Sequence, residues 1–126
     1  KPRPDARVAS WLETLGGEVA ITAITSAELL AGLRRLPVGA RRTSLTAAIE
    51  STFSDYSEAG AVLAFDHEAA RLYADILVAR QRAGMPISTA DAQIAAICRV
   101  HAATCATRNT KDFAHTGIEV ANPWQD

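Results

Sequence analysis

The chain has 126 residues, of which 48% are hydrophobic and 21% charged, and its formal net charge is −1. That size fits one domain spanning residues 1–126, and the composition is that of a globular protein and does not suggest disorder. The near-neutral balance gives no sign of a nucleic-acid partner by itself, and no apolar run reaches the ~18 residues of a membrane span.

The opening Lys1-Pro2-Arg3-Pro4 reads as a linker, because no apolar stretch follows to make a signal peptide. Asp5 can cap a helix running to about Gly16, with Val8, Trp11, Leu12 and Leu15 on one face. Val19 to Ile24, apolar and rich in β-branched residues, reads as a buried strand. Thr25 then opens a helix carrying Leu29, Leu30 and Leu33. Pro37 and Gly39 separate it from another, with Leu45, Ile49 and Phe53 inward. Ala61 to Phe65 reads as a second strand. Asp66 caps a helix reaching Gly84, with Leu72, Tyr73 and Ile76 as its core stripe. Met85-Pro86-Ile87 is a connector, and Ser88 caps a helix whose buried side carries Ile94, Ile97 and Cys98. Thr104 to Ala106 and Ile118 to Ala121 read as short final strands. Cys98 and Cys105 lack any zinc-ligand spacing and fit structural thiols in a reducing, cytoplasmic setting.

Strands alternating with helices imply an α/β fold, a mostly parallel central sheet flanked by helices. In such folds ligands bind outside the carboxyl ends of the strands. Glu28 falls in the first turn after the strand Val19–Ile24, Asp91 in the first turn after Ser88, and Asn109 and Asp112 just after Thr104–Ala106. A parallel sheet would bring these acids to one edge. Crowded carboxylates repel and raise one another's pKa unless a cation joins them. Magnesium takes hard oxygen ligands and leaves positions for phosphate, a chemistry suited to phosphodiester cleavage.

Each acid taken singly also has a structural explanation. Thr25-x-x-Glu28 and Ser88-x-x-Asp91 fit capping boxes, and Asp112 could cap a turn. His67, His101 and His115 share no metal spacing, and Trp11 and Trp124 suit packing better than base stacking. Eleven of the thirteen basic residues are arginines, whose planar forks suit phosphate and carboxylate, although compositional bias explains the count equally well.

Three stretches carry a family resemblance: Ala20 to Gly32 around Glu28, Pro86 to Ala96 around Asp91, and Ala106 to Phe113 around Asn109 and Asp112. With the tail Val120 to Trp124, they resemble the PIN-domain ribonucleases, specifically the VapC-type toxins of toxin–antitoxin pairs. The resemblance covers nearly the whole chain. It implies a parallel sheet between helices and Mg²⁺- or Mn²⁺-dependent endoribonuclease activity. It further implies Glu28, Asp91 and Asp112 as catalytic acids, Asn109 as an added metal ligand, a cognate antitoxin and a homodimer. Arg108, with Thr107, is expected to contact RNA phosphate. Two departures accompany it. The family's first strand, which ends in an aspartate ligand, is expected to precede this chain's first residue. Asn109 also stands where many members carry Asp. A catalytically inactive antitoxin- or RNA-binding protein is the alternative. A receiver-like phosphoacceptor would need an Asp pair at the first strand and a late Lys, which the sequence does not supply.

Overall fold

A computed structural model describes residues 20–102, 105–106 and 120–121. The anticipated helix Asp5–Gly16, Trp124, His115 and the segment 107–112 lie outside the described residues. The chain divides into two compact units, Lys1–Leu63 and Ala64–Asp126. Elements are numbered here within the described residues. Among these, no helix is long and apolar enough to cross a membrane.

In the first unit, β1 (Ile21–Thr22) leads directly into α1 (Ala23–Arg34), followed by α2 (Ala40–Glu58) and β2 (Val62–Leu63). The strands pair in parallel, Ile21 opposite Val62 and Thr22 opposite Leu63, and the Ile21 amide donates to the Ala61 carbonyl at 3.0 Å. Parallel pairing requires a crossover, which the two helices supply. The strand expected over Val19–Ile24 is thus only Ile21–Thr22 among the described residues, and that over Ala61–Phe65 only Val62–Leu63. The apolar run is shared between strand and helix. Ala23 and Ile24 belong to α1's first turn and follow the helical period instead of alternating across a sheet.

The unit's core follows the helical spacing read from the sequence. Leu33, Leu36 and Ile49 form one buried cluster, with Leu30, Leu45 and Phe53 packed against it. Ile21, Leu29 and Tyr56 form another, which Phe53 also touches, so that ring joins the two. α2 ends in a Schellman turn: Gly60, at φ +67°, donates to the Ser57 carbonyl, and Ala61 donates to Tyr56. Glycine adopts that left-handed conformation without a Cβ clash. The turn delivers Ala61 to β1.

In the second unit, α3 (His67–Arg82) packs against α4 (Thr89–Val100), and α4 packs against β3 (Cys105–Ala106). β3 pairs in parallel with β4 (Val120–Ala121). The α/β class and parallel pairing agree with expectation. Asp66 caps α3 as anticipated, its Oδ1 accepting the Ala69 amide at 2.9 Å. Phe65 meets Tyr73 edge to face, the ring centroids 5.9 Å apart. The helix stops at Arg82, short of Gly84, which takes φ +70° in a second Schellman turn: Gly84 donates to Gln81, and Met85 to Arg80. α4 is buried beyond the anticipated Ile94, Ile97 and Cys98. Ala92, Ala95 and Ala96 are also inside, so small residues let it pack closely on more than one side.

Candidate functional site

Glu28 and Asp91 are the two proposed acids within the described residues, one in each unit. Thr107, Arg108, Asn109 and Asp112 lie outside them, beyond the carboxyl end of β3 in sequence.

The structure corrects the local setting of Glu28. Thr22, not Thr25, caps α1: its Oγ1 accepts the Thr25 amide at 3.0 Å and donates its proton to the Thr25 hydroxyl, also at 3.0 Å. The last residue of β1 is therefore also the helix cap. Glu28 moves from the expected first turn to the second, six residues beyond the cap, and is exposed. A capping box needs its acid three residues after the cap. Thr25 holds that place, so capping no longer accounts for Glu28.

Asp91 sits as anticipated. Ser88 caps α4, its Oγ accepting the Asp91 amide at 3.1 Å, and Asp91 is the acid of the helix's first turn. The side chain is half-buried. A carboxylate here is favoured by the exposed amide ends of the helix. It therefore serves the helix whatever else it does. The four-residue connection from α4 to β3 joins the helix's carboxyl end to the strand's start. A helix returning over its following strand sets its amino end toward the edge where that strand finishes.

Arg80 is a residue the sequence reading passed over. It is 3% exposed, and its guanidinium donates from Nε to the Met85 carbonyl at 2.6 Å and from an Nη to the Pro86 carbonyl at 3.4 Å. It thus clamps the connector that leads to Ser88 and Asp91. A signal existed, since Ala69, Tyr73, Ile76 and Arg80 continue one stripe at helical spacing. The rule that arginine avoids the interior concealed it.

Among the described residues, no three His, Cys, Asp or Glu side chains gather closely enough to hold a metal. His67 and His101 are exposed, at the start of α3 and the C-cap of α4. Of the anticipated structural thiols, Cys98 is indeed buried in α4.

Comparison with known proteins completes the picture. The chain is 39% identical over 123 residues to the plasmid stability protein StbB of Pseudomonas syringae pv. tomato, covering 97% of this chain and 88% of that one. It is 38% identical to the VapC ribonuclease Y4jK of Sinorhizobium fredii, covering 99% and 89% respectively. Among solved structures, FitAB bound to a DNA fragment superposes with a TM-score of 0.80 at 35% identity, over all of this chain and 88% of that one. FitAcB from Neisseria gonorrhoeae gives 0.78 at 36%, over all of this chain and 91% of that one. The PIN domain profile matches residues 1–119, and the chain belongs to the PIN domain family.

Proposed function

We propose that this chain is the toxin of a type II toxin–antitoxin pair, a Mg²⁺-dependent endoribonuclease that hydrolyses RNA phosphodiester bonds. The observation that carries the reading is the 38% identity, over 99% of the chain, to a protein named a VapC ribonuclease. The corrected cap of α1 supports it, because it leaves Glu28 without the capping explanation its sequence context offered.

Glu28, Asp91 and Asp112 are the catalytic acids of this proposal, and Asn109 adds an amide oxygen. Their donors are all hard oxygens, which fits Mg²⁺ or Mn²⁺ and disfavours softer metals. A cation held by these residues would supply activation of a water and stabilisation of charge on the phosphodiester. Ser88 and Arg80 hold the start of α4 and so fix the backbone that carries Asp91. Arg108 and Thr107 bind the RNA phosphates beside the acids. The partners are RNA, a cognate antitoxin and a second copy of the chain, in the cytoplasm. Relatives titled FitAB and FitAcB support a protein partner.

The test is RNA cleavage under Mg²⁺ titration, comparing the parent with Asp91→Asn. Loss of a direct ligand is expected to lower cleavage by more than about a hundredfold, beyond the usual cost of altering a supporting residue. Removing one charge from the first turn of α4 should change stability by no more than about 1 kcal/mol. A variant that melts far earlier yet still cleaves RNA would assign Asp91 to capping alone and sink the site.

A further inference from the structure

Among the described helices, the start of α2 places its arginines against the pattern of the others. α1, α3 and α4 each have arginine in the last turn, as Arg34, as Arg80 with Arg82, and as Arg99. There a cation faces the helix's carbonyl end and is favoured. α2 has no basic residue in its last turn. It begins Ala40-Arg41-Arg42, with no acid in the first turn and no side-chain cap from Gly39. Two cations thus stand at the positive end of a 19-residue helix, where they cost stability. With Arg34 and Arg35 closing α1, four arginines fall within nine residues, and no acid lies between Glu28 and Glu50. A chain of net charge −1 has concentrated positive charge at one turn.

The same turn borders a groove of about 360 Å³ between α1 and α2, lined by Leu30, Leu33, Arg34, Arg42, Thr43, Thr46 and Ala47. Arg34 is exposed and Arg42 half-buried. The Thr43 hydroxyl is committed to the Gly39 carbonyl at 3.1 Å. The two guanidinium groups are therefore the groove's charged donors, and the amide end of α2 adds positive potential. Oriented helix amides with arginine forks match phosphate oxygens.

We infer that the α1–α2 turn is a phosphate-binding subsite for the RNA backbone, built from residues other than the proposed acids. It rests on the nuclease reading for its choice of polyanion. Arginine at a helix start destabilises the fold, and a bound phosphate reverses the sign of that effect. Phosphodiester contacts of this kind tether the strand without reading its sequence.

The test uses the full chain with a 2′-O-methyl oligoribonucleotide, which resists cleavage, in EDTA, and follows affinity against salt. For single strands each phosphate contact contributes about 0.7 to the slope of log affinity on log salt. Arg34→Gln with Arg42→Gln should therefore lower the slope by about 1.4 and weaken binding roughly tenfold or more near 0.1 M salt. Arg34→Lys with Arg42→Lys keeps both charges and should keep the slope, which separates charge from folding. Arg71→Gln, an exposed position on α3, serves as the control and should change the slope less than the double Gln variant does. An unchanged slope in a folded double Gln variant overturns the subsite. So does loss of binding to a poly-glutamate peptide with RNA binding intact, which would assign the turn to an acidic protein. A chain that binds this RNA but never cleaves any RNA defeats the nuclease reading and leaves the subsite standing. One that cleaves, with the same salt slope in parent and variant, does the reverse.

Discussion

α2 and α4 begin under opposite rules. α4 opens with a serine cap, an acid three residues later and a connector clamped by a buried arginine. Every local preference agrees with the helix it starts. α2 opens on a glycine without a side-chain cap and two arginines against the helix dipole. Its stability comes from elsewhere, through Ile49, Phe53 and Tyr56 packed in the unit's two clusters. The difference teaches how to weigh a charged residue. At the start of α4 the fold already accounts for Asp91, so a functional role must be shown on top of a structural one. At the start of α2 the helix dipole opposes the arginines, so their place there does not follow from the helix they begin.

The largest stability effect is expected at Arg80, which organises the approach to α4. Arg80→Met keeps an unbranched stem in the stripe with Ile76 but removes the donors to Met85 and Pro86. A hydrogen bond donated by a charged group contributes about 1.5–3 kcal/mol. Urea unfolding should show a loss of about 2 kcal/mol at an unchanged slope. A loss within error would mean that the connector is held by its Schellman turn alone. Ser88→Ala acts one step later and should cost about 1 kcal/mol, the usual value of a serine cap. If Ser88→Ala cost as much as Arg80→Met, the clamp would be secondary to the cap.

These same contacts show what sequence could and could not supply. Asp66 and Ser88 were legible as caps because a cap depends on four consecutive residues and little else. The start of α1 was misplaced because Thr22 and Thr25 both satisfy the pattern. An apolar Ile21–Ile24 run also reads as strand until Val62 and Leu63 are known to pair with only two residues of it. Pairing is a long-range fact, and local propensity does not encode it. Arg80 was hidden by its charge, although its spacing from Ile76 placed it on the core stripe. Of the candidate site, the sequence found the elements carrying Glu28 and Asp91 and placed Asp91 correctly within its helix. Convergence of acids from distant segments depends on tertiary placement, which periodicity cannot supply.

The smallest expected effect has the opposite sign, and it tests the contrast most directly. Arg42→Glu puts an acid three residues after Gly39, the position that Asp91 occupies after Ser88. A carboxylate there meets the amide end of α2 favourably and removes a cation that opposed it, each worth about 0.3–1 kcal/mol near a surface. Against this, glutamate has a shorter apolar stem than arginine to offer the groove, which Leu30 and Leu33 also line. The net expectation is a gain of about 0.5 kcal/mol, seen as a rise in Tm of roughly 2 °C. RNA affinity should fall in the same protein, because a phosphate would now meet a negative charge. Higher stability with weaker binding is the signature of arginines kept for a ligand at the expense of the helix. If Arg42→Glu lowers Tm and leaves RNA binding unchanged, Arg42 is a packing residue of the groove, and the starts of α2 and α4 differ in chemistry but not in purpose.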